Sequence, residues 1–283
     1  MNISAYKTTL FSWQAVIKFF SAFVQAFGTL AIVLGVLDIL FPNTFELKYS
    51  GLKFFIVISL MWAVNRIYPR FEISRRLSVP DTVIKIKLGD LFKEDANLVI
   101  GMSDTFDTEK GNIIKPKSIQ GQFLANIYSD DIFRLDTDLA KALKGIPGKD
   151  DNQKTCGKIT RYQIGTVATL VIGPKKYYCS AYSRMGNDLK AKSDILKLNI
   201  SLEKLWEEIR LKGQNEKIAM AVLGSDLARI GEASHSNLIK LIVSSFILAS
   251  RAQIIAEQLT IVIRDNNLEK VNMLDINDFL KNY

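Results

Sequence analysis

Residues 217–231 read KIAMAVLGSDLARIG, and the fold is best worked out from this stretch. The apolar run at 218–223 predicts a buried strand, and glycines at 224 and 231 bound a loop after it. A helix is predicted next, because apolar residues recur at helical spacing: Leu238, Ile239, Leu241, Ile242 and Phe246. Helix starts present unpaired backbone N–H groups and partial positive charge, so this order of elements predicts an anion-binding loop.

The loop itself offers a hydroxyl, a carboxylate and a guanidinium to a polyvalent anion such as a diphosphate. Every position of the loop is a candidate ligand contact: Gly224, Ser225, Asp226, Leu227, Ala228, Arg229, Ile230 and Gly231. Arg229 is expected to clamp a phosphate. A tight strand-to-helix loop that binds nothing has much the same pattern, and this alternative stays open.

The N-terminal region contains a long apolar segment. From Phe19 to Phe41 the strongly polar side chains are Gln25 and Asp38. At a rise of ~1.5 Å per residue the segment reaches roughly 34 Å, which exceeds a hydrocarbon core of about 30 Å. We therefore predict a transmembrane helix at about 19–41, because the apolar core of a cleaved signal peptide is shorter.

A second apolar run, at about 52–68, is near the short limit for a membrane span, and the alternative is a buried or interfacial helix. Pro42, Asn43 and Gly51 lie between the two runs and suit a turn that joins antiparallel helices. Residues 1–68 are therefore predicted to form a two-helix transmembrane hairpin.

Positive charges flank the predicted hairpin outside its connecting loop. The flanking cations are Lys7, Lys18, Arg66, Arg70, Arg75 and Arg76. Because such cations stay in the cytoplasm, the sequence predicts a multi-pass inner-membrane protein with both termini cytoplasmic. Residues 1–80 hold eight Lys/Arg and three Asp/Glu, a net charge of +5 out of +8 for the whole chain. This excess lies beside the membrane, so it favours anionic lipid and does not indicate nucleic acid as a partner.

The region after the hairpin has a different pattern. Residues 69–80 are predicted to be a basic linker, and residues 81–283 a cytoplasmic domain. Ile84, Ile86 and Leu88 alternate with lysines as in a half-buried strand. Strands and helices alternate through the rest of the domain, which predicts a three-layer α/β fold on a mixed sheet.

Polar residues follow two of the predicted strands of this domain. Asp90 comes after the first strand, and Ser103 and Asp104 come after the apolar run at 97–101. In open α/β sheets ligands bind beyond the carboxyl ends of the strands. We therefore expect these side chains to line one crevice together with the Gly224 loop.

The remaining segments are assigned from periodicity and turn residues. In chain order they are helices within 112–145, a polar surface loop at 145–158, strands at 159–172 and 177–182 joined by Gly173-Pro174, a flexible lid at 183–193, a helix at 202–211, a strand at 259–263 and a helix at 275–282. The lid candidates that would close over a ligand are Arg184, Asn187 and Lys190.

Several kinds of chemistry lack their usual residues. Cys156 and Cys179 have no paired spacing, and His235 is the single histidine, so zinc sites and histidine-based triads are not indicated. His235 is expected to be a partly exposed helix residue. The loop at 224–231 is neither a Walker A motif nor a dinucleotide fingerprint. No catalytic residue, metal ligand or resident cofactor is therefore assigned.

Three short segments resemble a macro domain, the α/β module that binds ADP-ribose. Gly89-Asp90-Leu91 is similar to the Gly-Asp-Ile/Leu turn of that family, which implies that Asp90, beside Leu91, holds the adenine amino group. Ser103 and Asp104 stand where the family carries an Asn-Ala-Ala-Asn stretch at the distal ribose. The Gly224 loop stands at the diphosphate position, although Asp226 replaces a frequent second glycine.

With its predicted membrane hairpin, the whole chain resembles the transmembrane-macro effector of type II Thoeris anti-phage defence. The resemblance implies a TIR-domain partner that uses NAD to make an ADP-ribose conjugate carrying imidazole or histidine. It also implies a homo-oligomeric receptor that disrupts the membrane and is not an enzyme. The alternatives are an ADP-ribosyl hydrolase, with Asp104 or Asp107 as the base, and a membrane-tethered scaffold without a ligand.

Overall fold

The computed structural model describes residues 7–41, 49–68, 70–224 and 234–283. The chain divides into two compact units. The first combines Met1–Arg70 with Leu268–Asn282, and the second combines Phe71–Asn267 with Tyr283.

Within the described residues the regular elements are eight α-helices and ten strands. The helices are α1 (Lys7–Leu10), α2 (Trp13–Leu40), α3 (Tyr49–Ile67), α4 (Ile119–Tyr128), α5 (Ile132–Ala142), α6 (Ile195–Lys212), α7 (His235–Ala252) and α8 (Met273–Lys281). The strands are β1 (Glu72–Leu77), β2 (Thr82–Leu88), β3 (Asn97–Ser103), β4 (Gly148–Asp150), β5 (Thr160–Tyr162), β6 (Val167–Ile172), β7 (Lys175–Met185), β8 (Ala191–Lys192), β9 (Ile218–Ala221) and β10 (Gln258–Ile263).

The first unit is built on the long apolar helix α2. Ser12 caps its start, and the Ser12 Oγ accepts a hydrogen bond of 3.1 Å from the Ala15 amide. Within the described part of the chain, α2 is the one helix long and apolar enough to cross a membrane. The predicted span at 19–41 therefore coincides with a suitable helix, whereas the second span at 52–68 stays a prediction.

Helix α3 packs along α2. One groove between them is lined from both helices, by Phe27, Ala31, Leu34, Gly35, Asp38, Leu52 and Phe55. The last turns of α2 and the first turns of α3 thus meet, as expected of a helical hairpin. Many large apolar side chains on both helices remain exposed, among them Ile32, Ile39, Phe54 and Met61. Such a surface needs an apolar environment or a partner to cover it.

The C-terminal helix α8 belongs to the same unit as α2. Lys18 forms an ion pair with Asp278, and Thr9 Oγ1 donates to the carbonyl oxygen of Val271 over 3.3 Å. The helix predicted at 275–282 is confirmed at Met273–Lys281. These contacts group it with the N-terminal helices, although the sequence placed it in the domain at 81–283.

The second unit contains a mixed sheet in the order β1-β2-β10-β9-β3-β7-β6, with β8 paired to the end of β7. The five strands from β2 to β7 in this order are mutually parallel, and the edge strands β1 and β6 are antiparallel to their neighbours. Strand β4 pairs with β5 in a small separate sheet. The predicted mixed sheet is confirmed.

The predicted linker at 69–80 is wrong over Glu72–Leu77, because these residues form β1 and pair with β2. Ile73 and Leu77 are buried, whereas Arg75 and Arg76 between them are exposed. The two adjacent arginines interrupt the apolar alternation, so the local pattern resembled a charged linker. Pairing with β2 supplies the hydrogen bonds that define the strand.

Helices cover both faces of this sheet. On one face α4 and α5 pack Phe123, Leu124 and Leu135 against alternate residues of β3 and β7, including Ile100 and Cys179. On the other face α6 and α7 pack together, and the rings of Trp206 and Phe246 meet edge to face at 5.2 Å. The unit is therefore the three-layer α/β fold that the alternation of elements predicts, and its core leaves the carboxyl ends of the parallel strands accessible.

Candidate ligand-binding site

A cavity of about 580 Å³ lies at the carboxyl ends of the parallel strands. Ser103 ends β3, Leu223 and Gly224 follow β9, and Arg264 follows β10; all four residues line it. The volume is in the range of ligand pockets, about 300–1,000 Å³. The structure thus brings Ser103 and the start of the Gly224 loop together, at the edge where open α/β sheets bind ligands.

The charged side chains at the cavity are all basic among the described residues. Lys115, Lys190, Lys192 and Arg264 line it, and no Asp or Glu that the structure describes does. Two of these cations have further contacts. Lys192 pairs with Asp188 at 2.6 Å, and Arg264 Nη1 donates to the Lys117 carbonyl over 2.7 Å. A concave surface lined by charges of one sign raises the local concentration of the opposite charge, so this cavity favours anions.

The start of α7 adds to this positive potential. Ser234 caps the helix, and its side chain accepts a hydrogen bond of 3.2 Å from the Asn237 amide. His235, the first residue of the helix, lines the cavity and is 8% exposed. The expectation that His235 is partly exposed is therefore wrong, because α7 begins at the cavity. An 18-residue helix presents the positive end of its dipole there.

Gly101, in β3, lines the cavity and helps to set its shape. A Cβ atom at this position would lie 2.7 Å from Leu223 Cδ2 and 2.7 Å from Tyr182 Cε1. Both neighbours also line the cavity, so a larger residue in β3 would displace its wall. The absence of a side chain at 101 is what allows Tyr182 and Leu223 to lie so close to the strand.

Asp104 has a different environment from Ser103. Arg161 Nη1 donates to both Asp104 carboxylate oxygens, at 2.9 and 2.8 Å, and the Met185 amide donates to Oδ1 over 3.1 Å. The Asp104 side chain is 6% exposed. Ser103 lines the cavity, whereas Asp104 does not. The carboxylate is thus bound by protein groups, and a ligand role for it stays a prediction.

Asp107 is held in a similar buried network. Lys154 Nζ pairs with Asp107 Oδ2 at 3.2 Å, and the side chains of both residues are at most 1% exposed. The Lys158 amide donates to Oδ1 over 2.6 Å, and Thr105 Oγ1 donates to Oδ2. The loop at 145–158 was predicted to be a surface excursion, and this is wrong at Lys154. Its ammonium is buried because it neutralises a buried carboxylate and donates to the carbonyls of residues 156 and 158.

The turn at Asp90 lies at the same edge of the sheet. The Gly89 amide donates to the Ile263 carbonyl over 3.0 Å, next to Arg264. Asp90 is exposed, and its Oδ1 accepts a hydrogen bond of 3.0 Å from the Phe92 amide, which starts a short 3₁₀ helix. Leu91 is buried in the core. Neither residue lines the described cavity, so their contact with an adenine ring stays a prediction.

The predicted lid at 183–193 is a short β-hairpin. Arg184 pairs with Lys192 and Met185 with Ala191. Lys190 lines the cavity, whereas Arg184 and Asn187 are exposed residues that do not. The remaining loop candidates, Ser225, Asp226, Leu227, Ala228, Arg229, Ile230 and Gly231, lie outside the residues that the structure describes.

The family model of the Thoeris protein ThsA macro domain matches residues 84–264, which is more than half of the chain. The chain belongs to this family. Its matched region contains the whole sheet except β1 and the first two residues of β2, together with the strand ends that line the cavity.

Solved structures agree on the fold of this ThsA-family domain. A mutant macrodomain of Oceanobacillus iheyensis is 9% identical and superposes with a TM-score of 0.51, covering 75% of this chain and 99% of its own. The macrodomain of the same organism with ADP is 10% identical with a TM-score of 0.51, and covers 76% and 100%. At this identity the likeness shows the macrodomain fold. No curated protein is similar enough to count as a relative.

Sequence reasoning missed several residues that line the cavity of this ThsA-family chain. They are Lys115, Tyr182, Lys192, His235, Arg264 and Asn267. Arg264 directly follows the predicted strand at 259–263, so the rule that placed Asp90 and Ser103 at the edge would also have found it. Lys115 lies in a connection between elements and Lys192 in the two-residue strand β8, and no local pattern indicates that these segments border a cavity.

Proposed function

We propose that this chain is a membrane-anchored receptor of bacterial anti-phage defence whose macro domain binds an ADP-ribose-type nucleotide. The observation that carries the proposal is the cavity: about 580 Å³, four cationic side chains and no carboxylate among its described lining residues. A diphosphate brings negative charge that this lining and the start of α7 would neutralise. Membership of the ThsA macro domain family supports the defence role.

The same cavity supports a nucleotide as the ligand class. Solved macrodomains of Oceanobacillus iheyensis with ADP and with ADPR share the fold of this chain. Ser103, which ends β3, and Gly224, which follows β9, line the cavity and are the proposed ligand contacts at that edge. We further propose that the natural ligand is an NAD-derived ADP-ribose conjugate with an imidazole or histidine group, made by a TIR-domain synthase. That partner acts through the ligand, and no resident cofactor is needed.

The output is proposed to be assembly and membrane disruption. Helix α2 with α3 would form the hairpin, with both termini cytoplasmic and basic flanks beside anionic lipid. A ligand can drive assembly only if it binds the assembled state better. Changing a 1:99 population to 99:1 takes about 5.5 kcal/mol of differential binding, which several subunits can share.

The chain is proposed to be a receptor and not an ADP-ribosyl hydrolase. The two carboxylates that could act as a base, Asp104 and Asp107, are buried and paired with Arg161 and Lys154. A general base must reach a water or hydroxyl of the substrate, and these groups are already bound by cations and amides. Release of ADP-ribose from a modified protein by the purified chain would reverse this choice.

The test is nucleotide-dependent stability of the full-length protein in lipid nanodiscs. ADP-ribose at one hundred times its dissociation constant should stabilise the folded state by about 2.7 kcal/mol. Lys190→Glu replaces an attraction of about 1 kcal/mol by a repulsion of about the same size, so it should weaken binding by about 2 kcal/mol, or roughly thirtyfold.

Lys144→Glu is the matched control, because Lys144 is an exposed lysine that does not line the cavity. It should leave the affinity for ADP-ribose unchanged. The absence of stabilisation by ADP-ribose, and by its imidazole and histidine conjugates, would reject nucleotide binding and favour a tethered scaffold. Light scattering on the same samples tests assembly.

A further inference from the structure

One wall of the cavity is the hairpin formed by residues 185–192. Met185, Leu189, Lys190, Ala191 and Lys192 all line the cavity. On the cavity side Met185, Leu189 and Ala191 pack with Ile113 and Ile114 in a small apolar cluster. The hairpin therefore supplies two of the four described lining cations, and its position determines where these charges lie.

The base of this hairpin is fixed from behind by Arg161. Its guanidinium donates to the Met185 carbonyl over 2.9 Å, and to Asp104 over 2.8 Å. Asp104 in turn accepts a hydrogen bond of 3.1 Å from the Met185 amide. Both backbone polar groups of Met185 are thus bound by one ion pair. The planar guanidinium of Arg161 uses a different nitrogen for each partner: Nη1 donates to Asp104, Nη2 to the Met185 carbonyl and Nε to Asp151. This fork has a defined geometry, so it fixes direction as well as distance.

The tip of the hairpin is fixed by a second residue. Asn187 Oδ1 accepts a hydrogen bond of 2.9 Å from the Thr155 amide, and Asn187 Nδ2 donates to the Gln153 carbonyl over 2.7 Å. Thr155 and Gln153 flank Lys154, whose ammonium is buried against Asp107. The tip is therefore attached to a segment that is itself held by a buried ion pair.

We propose that Asp104, Arg161 and Asn187 are positioning residues that hold the hairpin as a preformed wall of the nucleotide site. This inference rests on the proposed function. The three residues do not line the described cavity; they act through Met185 and the hairpin tip on Lys190 and Lys192. A wall fixed before binding spares the ligand the cost of ordering it, which raises affinity. The hairpin is then not a lid that closes on the ligand.

The experiment combines hydrogen exchange with ADP-ribose binding on the full-length protein in nanodiscs. Asn187→Ala removes the tip contacts at an exposed position, and Arg161→Lys keeps the charge but loses the fork geometry. Each variant should raise amide exchange in 185–192 while α5 stays protected. If the hairpin of a variant adopts the wild-type position only about one tenth of the time, its affinity for ADP-ribose should fall roughly tenfold.

Asn152→Ala is the control, because it changes an exposed asparagine of the same connecting segment. It should alter neither exchange in 185–192 nor affinity. If Asn187→Ala and Arg161→Lys both fold and neither raises amide exchange in 185–192, the proposal is overturned. A wild-type hairpin that exchanges freely and becomes protected only with ADP-ribose would overturn it as well. If the two variants raise amide exchange in 185–192 but the wild type binds no ADP-ribose, the three residues do position the hairpin, and it is the proposed function that fails.

Discussion

The loop after β3 and the lining of the cavity are two polar regions at one edge of the sheet, and they differ in how their charges are neutralised. In the loop, Asp104 and Asp107 are bound by Arg161 and Lys154. At the cavity, cationic side chains line an open space to which no described Asp or Glu contributes. The first region neutralises its charges within the protein, whereas in the second Lys192 pairs with Asp188 and the excess of cations favours an anion.

This difference distinguishes polar residues with a structural role from candidate ligand-binding residues. Removing one partner of a buried ion pair leaves an uncompensated charge, so such a pair indicates a structural role when both groups are enclosed. Cations that line a cavity are instead available to attract an anion. Both regions hold polar residues after parallel strands, and local sequence therefore does not separate them.

The largest expected effect on stability comes from removing the buried Lys154–Asp107 ion pair with Lys154→Met. The substitution leaves the Asp107 carboxylate buried without its cation, and we expect a loss of about 3–5 kcal/mol in the free energy of unfolding. Denaturant unfolding followed by tryptophan fluorescence measures it. The matched control is Lys158→Met, because the Lys158–Asp136 pair is more than one third exposed and should be worth about 0–1 kcal/mol. Equal losses in the two variants would contradict the distinction.

An intermediate effect is expected at the cavity from Gly101→Ala. The added methyl meets Leu223 and Tyr182 at 2.7 Å, and overpacking of this kind costs about 1–3 kcal/mol. Because both neighbours line the cavity, the affinity for ADP-ribose should fall more than it does in Lys154→Met variants that remain folded. Titration calorimetry alongside thermal unfolding separates the two quantities. Full affinity with a normal melting point would show that the wall adapts.

The smallest effect is expected from Asp151→Asn, at the partly exposed end of the Arg161 network. The hydrogen bond from Arg161 lowers the pKa of Asp151 below its ordinary 3.8, and the Gln153 amide lowers it further. A carboxyl with a depressed pKa stabilises the fold above that ordinary value and loses the contribution as pH falls through the folded pKa. Wild type should therefore melt slightly above the variant near neutral pH, and the difference should vanish well below pH 3.8. A difference independent of pH would assign the effect to packing.

Much of the fold was predictable because its signals are local. Ile84 and Ile86 alternate with lysines, and both are fully buried in β2. Gly173-Pro174 predicts the turn of the β6–β7 hairpin, and the structure confirms it. Helices α6 and α7 follow from apolar spacing. These patterns reflect backbone periodicity, which a single chain segment determines by itself.

The errors lie where contacts distant in sequence decide the outcome. Lys154 is polar and follows turn residues, yet it is buried because Asp107, 47 positions earlier, folds against it. Arg161 likewise binds the Asp104 carboxylate from 57 positions later in the chain, while the ribose contact implied for Asp104 stays a prediction. A sequence pattern carries no information on which opposite charge arrives at such a position.

Composition, periodicity and short motifs are enough to predict the apolar N-terminal helix, the alternation of strands and helices, the family resemblance and the edge of the sheet where the cavity lies. Which polar residues at that edge line the cavity, and which support it, depends on the three-dimensional packing. Burial and charge pairing are properties of neighbours in space, and the neighbours of Asp104, Lys154 and His235 are set by the packing of the whole sheet.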